Sequence, residues 1–238
     1  DSGSTGMRSN SIVVLVGPPG AGKGTQAAKL AGKFNLIPLS TGQVLREEAR
    51  KGSALGKAAQ TIMEKGDLVP DSLVAEIVRQ RVQGVESSRT VLLDGFPRNF
   101  AQAKQLEELK GKRPVLVLNI SVDEDVVMKR LTTRRYCVDC GSIYNPHLMA
   151  PQKEDVCDAC GAQLIQREDD REEVIQTRFR VYREETEPLI EAYSQTQGYF
   201  AVDGNQKPQA IFEEISAKLI EVKLVKGDSA MRPEQSSV

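Results

Sequence analysis

The chain lacks an excess of charge of either sign: 32 Lys and Arg stand against 33 Asp and Glu, a net charge of −1 over 238 residues. No global field therefore pulls it toward nucleic acid or an anionic membrane surface. It also lacks any apolar run approaching the ~18 residues of a membrane span. Its first apolar run ends at Gly17-Pro18, too short for a secretory leader. Internal repeats and aromatic residues interleaved with basic ones are missing too. A soluble, cytoplasmic, monomeric protein with no nucleic-acid or membrane partner is the expectation. Histidine occurs once, in Asn145-Pro146-His147, and reads as a loop residue, so the chain offers no obvious general base. Cysteine is absent outside residues 137–160. Asp1 to Gly6 are small or polar and precede Met7, and read as a cloning remnant. Residues 226–238 are similarly polar and read as a disordered tail. The length allows one well-buried domain with insertions, or two small ones.

What is present is organised around one stretch, Ile12 to Thr25. Five apolar residues, Ile12 to Val16, read as a buried strand. A glycine-rich turn follows, and a helical pattern opens at Thr25. Such a turn folds the backbone so that several N–H groups face a phosphate at the helix N-terminus. Lys23 adds a positive charge where β- and γ-phosphates would lie. The spacing Gly17-x4-Gly22-Lys23 fits a phosphate-binding loop, and the flanking strand and helix argue against a mere glycine-rich linker. The Ser or Thr usual after the lysine is Gly24, so Mg²⁺ would be held by nucleotide oxygens and water. Motor and GTPase readings lose weight accordingly.

Strands and helices then alternate. Strands are expected at Leu36–Leu39, Thr90–Leu93, Val115–Ile120 and Tyr199–Val202. Helices are expected at Gln43–Arg50, Ala54–Lys65, Pro70–Gln83, Phe100–Lys110, from Asp123 to about Arg135, Glu172–Ser194 (disturbed at Pro188) and Pro208–Leu224. This alternation predicts an α/β fold with a parallel sheet covered on both faces. Asp94, at the end of its strand beside the phosphate loop, is placed to organise hydrated Mg²⁺; the plainer reading is a turn aspartate before glycine.

Cys137-x2-Cys140-x16-Cys157-x2-Cys160 fits a zinc site written as two CxxC knuckles, each followed by glycine (Gly141, Gly161). Four thiolates close a tetrahedral site with no position left for a substrate water, so the metal is expected to be structural. It would hold an insert of about 35 residues too small to bury a core alone. Two disulfides are the alternative, disfavoured in a cytosolic chain.

Arg46, Arg98, Arg130, Arg134, Arg135, Arg167 and Arg178 recur at element ends or flank the cysteine insert. Guanidinium binds phosphate bidentately and stays charged at any working pH. A phosphate acceptor, with a second pKa of ~6, is already a dianion at neutral pH. The missing base thus leans toward phosphate-to-phosphate transfer, catalysed by alignment and charge neutralisation.

Four motifs in order, Gly17 to Thr25, Ser40-Thr41-Gly42, Asp94-Gly95-Phe96-Pro97-Arg98 and Arg167-Glu168-Asp169-Asp170, resemble adenylate kinase in the long-lid form whose lid carries a zinc knuckle. The similarity runs from about Arg8 to Leu224. It implies ATP plus AMP giving two ADP with Mg²⁺, on a P-loop nucleoside monophosphate kinase fold with a five-stranded parallel sheet. The core would be 7–39, 70–133 and 172–225, with an AMP-binding insert at 40–69 and a zinc-binding lid at 134–171. By motif position, Gly20, Ala21, Gly22, Lys23, Gly24 and Thr25 would cradle the ATP phosphates, with Ile143, Tyr144 and Gln206 flanking the base. Thr41, Arg46, Arg98 and Gln102 would hold AMP, helped by Asp67, Leu68, Val69 and Gly95. Arg130, Arg134, Arg167 and Arg178 would surround the transferring group, Asp94 would order the Mg²⁺ waters, and Asp169 and Asp170 would anchor the lid. Thr41 implies a preference for AMP over pyrimidine monophosphates. Gln43 departs from the family's aspartate. The competing readings are a UMP/CMP-type kinase, a nucleic-acid-binding ATPase and a non-catalytic nucleotide sensor.

Overall fold

Strand β1 (Ile12–Val16) is buried along its whole length because it lies at the centre of a five-stranded sheet. The computed structural model of the chain describes residues 10–86 and 88–222. The expected remnant at 1–6, the tail at 226–238 and the end of the last helix beyond 222 lie outside the described residues. β2 (Ile37–Ser40), β3 (Val91–Asp94), β4 (Val115–Ser121) and β8 (Tyr199–Asp203) complete the sheet in the order β2-β3-β1-β4-β8. Every neighbouring pair is parallel. Near-continuous apolar runs are what a strand covered on both faces needs.

Alternate residues of β1 feed two cores, as the two-residue strand period requires. Ile12, Val14 and Val16 pack with Val91 and Leu93 beneath Leu45, Val78 and Leu106. These come from α2 (Thr41–Arg50), α4 (Asp71–Gln83) and α5 (Phe100–Lys110), and α3 (Ala54–Glu64) adds Ala59. Val13 and Leu15 face the other way, onto Leu30 of α1 (Lys23–Phe34) and Ile215 of α9 (Pro208–Glu221).

Two expected elements come out differently. The helix opening at Asp123 is α6 (Glu124–Thr133), and it stops before Arg134. Arg134 turns extended, at φ −60° and ψ 140°, and Arg135 enters a strand. Residue type alone favours more helix; a side-chain partner 36 residues away overrides it. The long helix Glu172–Ser194 is α7 (Glu172–Val181), a π-helical turn at Tyr182–Thr186 and α8 (Glu187–Ser194). The disturbance lies just before Pro188, not at it. Proline has no N–H for the carbonyl one turn back and its ring crowds that carbonyl, so the preceding turn widens.

Between α6 and α7 stands a small antiparallel sheet, β6 (Ile143–Tyr144), β5 (Arg135–Cys137) and β7 (Leu164–Ile165) in that order. Its core is Cys137, Tyr144, Cys157 and Leu164. That is too little apolar surface to hold two- and three-residue strands unaided.

Candidate functional site

The carboxyl ends of the parallel strands open into a cavity of about 1020 Å³, floored by the loop after β1 and roofed by the β5–β6 sheet. The loop's shape is set by steric exclusion. Gly17 has φ +140° and a Cβ there would sit 2.4 Å from the Ile120 carbonyl oxygen. Gly20 has φ +82°, and its Cβ would meet Leu131 at 2.8 Å. Ala21 N–H donates to Pro18 O (3.1 Å), closing the turn. α1 begins with no side-chain cap and no acidic residue in its first turn. Its N-terminal amides and the positive end of its dipole are left for an anion. Lys23 Nζ donates to Gly17 O and Pro18 O, both at 2.8 Å. Desolvation lowers its pKa to about 8, with Arg98, Arg178 and Arg134 adding and Asp94 opposing.

Arg46, Arg98, Arg134, Arg167 and Arg178 bring guanidinium groups to the cavity from separate segments of the chain. Arg134 grips fully buried Asp170 bidentately, Nε to Oδ2 at 2.8 Å and Nη2 to Oδ1 at 2.5 Å. Arg178 Nη1 donates to the same Oδ1 (3.0 Å) and to Asp169 O (2.9 Å). Burial pulls the Arg134 pKa down, but the charge and hydrogen bonds of Asp170 outweigh it and the net shift is upward. Asp169 is held below the usual carboxylate range: desolvation raises it, and Arg178, Arg134, Arg46 and Arg167 more than offset that. Unlike Arg134, Arg98, Arg167 and Arg178 are lowered, first by burial and then by other arginines' charges. Arg167 lies over the Tyr136 ring at 4.4 Å and Arg46 over the same ring at 5.8 Å. The Nε atoms of Arg46 and Arg167 are buried with no hydrogen-bond partner. Crowded, desolvated cations of this kind suit a polyanion as their partner.

On the far side from α1, Thr41 Oγ1 donates to Gly95 O (3.0 Å), which also accepts from Arg98 Nε (3.0 Å). Gln102 accepts from Arg98 N–H (2.8 Å) and donates to Asp71 (2.8 Å), so the loop before α5 and the first residue of α4 fix its amide. Asp94 ends β3 opposite Leu15 and Ser40 in the ladders, and its Oδ2 lies 3.6 Å from where a Gly24 Cβ would stand. A lone carboxylate beside a phosphate loop suits a hard, hydrated cation that keeps most of its waters.

In the small sheet the four cysteine Sγ atoms lie within 4.8 Å of one another, and none is in a disulfide. Cys137 and Cys160 are 3.4 Å apart, and Cys140 and Cys157 3.5 Å. Tetrahedral thiolates on zinc at ~2.3 Å stand about 3.8 Å apart. Gly141 N–H donates to Cys137 O (3.0 Å) and Gly161 N–H to Cys157 O (2.8 Å), closing two matching knuckles. Both the donor set and its spacing fit zinc.

Every residue expected to touch nucleotide lines the one cavity, with one difference: Gln206 is not among the lining residues. Its amide donates to Asp203 O (3.2 Å) and Glu214 (3.1 Å), and Pro208 and Ile211 line that part of the wall. Arg130 reaches the cavity while donating to Gly204 O (2.8 Å); burial lowers its pKa, with Asp203 opposing. Sequence reasoning missed Tyr136, the ring between two arginines; its place directly after Arg134-Arg135 was the available signal. It also missed Thr186, which donates to Arg98 O (2.7 Å) and has no local signature.

A comparison with family profiles matches residues 15–198 to the family described as adenylate kinase. An adenylate kinase of Archaeoglobus fulgidus is 43% identical over 214 residues, 89% of this chain and 99% of that protein. One from Thermoanaerobacter sp. is 44% identical over 210 residues, covering 87% and 97%. One from Thermosipho africanus is 44% identical over 206 residues, covering 85% and 96%.

Proposed function

Given that the chain belongs to the adenylate kinase family, we propose how its cleft performs the family's reaction, ATP + AMP giving two ADP. The enzyme is a nucleoside monophosphate kinase, a phosphotransferase whose acceptor is itself a phosphate. The first-turn amides of α1 and Lys23 bind the donor β- and γ-phosphates. Residues 40–69 with Gly95, Arg98 and Gln102 bind AMP and hold its phosphate opposite. An acceptor oxygen forms the new bond to the γ-phosphorus as the β–γ bridging bond breaks, and the electron pair leaves on the ADP β-phosphate. The acceptor is already a dianion, so no proton has to be removed. Arg134, Arg167 and Arg178 neutralise the charge that spreads over the transferring group. Tyr136 supports this by keeping Arg46 and Arg167 stacked and aimed.

Asp94 would hold the waters of the Mg²⁺ that binds with ATP, and the ion would supply neutralisation of the donor phosphates' charge. Zinc on Cys137, Cys140, Cys157 and Cys160 would hold the 134–171 segment folded and take no part in the chemistry. That segment closes over the cleft and keeps water from competing with AMP. No described helix is long and apolar enough to cross a membrane, and four unpaired cysteines suit a reducing cytoplasm.

The observation that carries the reading is that Arg46 and Arg167, whose buried guanidinium Nε atoms have no hydrogen-bond partner, line the same cavity as Lys23. An acceptor panel tests it. With ATP fixed, AMP should be phosphorylated far faster than UMP, CMP or GMP; equal use of a pyrimidine monophosphate would move the assignment to a UMP/CMP-type enzyme.

A further inference from the structure

Outside the cleft, a side chain of the 40–69 segment hydrogen-bonds the backbone of the 134–171 segment. Arg50, the last residue of α2, extends its guanidinium across to the first cysteine knuckle. Its Nη1 donates to the carbonyls of Val138 (2.6 Å) and Asp139 (3.1 Å), 88 and 89 positions along the chain. Those carbonyls belong to the two residues between Cys137 and Cys140. They can face Arg50 together only while the knuckle is wound, with Gly141 N–H returned to Cys137 O. Beside this contact the Gln43 amide packs on Gly141, 2.9 Å from where a Cβ would stand, and donates to Glu47 (3.1 Å).

The base of Arg50 is rigid. A Cβ on Gly56 would lie 2.2 Å from Ala49 N, so α3 crosses α2 at backbone contact just before Arg50. The guanidinium therefore projects from a fixed helix end rather than a mobile loop. A cation that bonds two carbonyls of one turn reads the shape of that turn, not only its charge. Arg50 is exposed and touches neither the cavity nor a cysteine sulfur, so nucleotide binding and metal binding do not account for it.

We propose that Arg50 is a positioning residue for phosphoryl transfer: it latches the acceptor-side segment to the outer face of the metal knuckle, so that a wound knuckle favours the arrangement enclosing both nucleotides. The inference rests on the function proposed above. Its consequence is a linkage between the lid metal and simultaneous occupancy of the two nucleotide sites. Linkage is reciprocal, so enclosing both nucleotides also protects the metal.

The test uses the metal-loaded full chain and a compound of two adenosines joined through five phosphates, which occupies both sites at once. Calorimetry should show Arg50→Ala weakening this compound by about five- to tenfold. The affinity for ATP alone and the melting midpoint should stay near those of the unmutated chain. Arg50→Lys, a point charge without the planar fork, should recover part of the loss. The compound should also slow metal transfer to a chelator, and Arg50→Ala should reduce that protection. Unchanged affinity and unchanged protection in Arg50→Ala would overturn the latch, as would an equal loss for ATP alone. Failure of the unmutated chain to bind the compound would instead overturn the nucleotide reading, and the latch with it.

Discussion

Asp170 lies fully buried against Arg134, and the pair spans the 134–171 segment from end to end. Arg178 shares the same carboxylate oxygen at 3.0 Å. One acid thus ties the exit from α6 to the start of α7 and aims two cavity arginines. Asp170→Asn removes the fully buried counter-charge that both share. We predict a loss of about 3 kcal/mol, the usual consequence of orphaning a buried ion pair, read as a melting midpoint lower by roughly 10 °C. Below that temperature kcat should fall more than KM for ATP rises, because the arginines lose aim rather than presence.

Lys23 carries the pH dependence. Its pKa in the folded chain is lowered from 10.5 to about 8 by desolvation, with the neighbouring arginines adding. Between those two values the unfolded chain holds more protons on this group than the folded one. The contribution of Lys23 therefore makes stability rise with pH from about 8 to 10.5. Melting curves of the wild type minus those of Lys23→Met should show that rise; a flat difference would refute it. In the free enzyme Lys23 loses its charge above pH about 8, so kcat/KM should decline there.

Much of this was legible in the residues. The inner strands β1, β3 and β4 are readable because both their faces are buried, which leaves apolar runs such as Ile12 to Val16 with one reading, and the partly exposed edge strands β2 and β8 are readable from their short apolar runs. The phosphate loop is readable because Gly17 and Gly20 have no room for a side chain. The end of α6 was not, since Arg134 and Arg135 are good helix formers and the carboxylate that pulls Arg134 away lies 36 residues downstream. Nor could the sequence place Tyr136 between Arg46 and Arg167, a geometry that exists only once β5 has paired with its neighbours. Gln206 shows what motif position leaves open: it expects the residue at the cleft, and the structure has its amide bonded to Glu214 and the Asp203 carbonyl.

Metal removal separates folding from chemistry. The Cys137, Tyr144, Cys157 and Leu164 cluster is too small to fold its segment alone. A chelated protein should therefore melt earlier, with the lid segment losing hydrogen-exchange protection before the parallel sheet does. It should keep measurable turnover in the cold, because four thiolates on one metal leave it no open position for substrate. Complete loss of turnover in a protein whose lid segment is still protected would assign the metal a chemical role.

The central claim is that main-chain amides and fixed cations transfer the phosphate, with no proton abstraction. Lys23→Met tests it most directly, because it deletes the one cation held by the loop itself while keeping much of the side chain's bulk. The account predicts that ADP formation from ATP and AMP falls on the order of 10³-fold in kcat, with the fold intact and the melting midpoint at neutral pH no lower. Near-normal ADP formation by that variant would contradict the account.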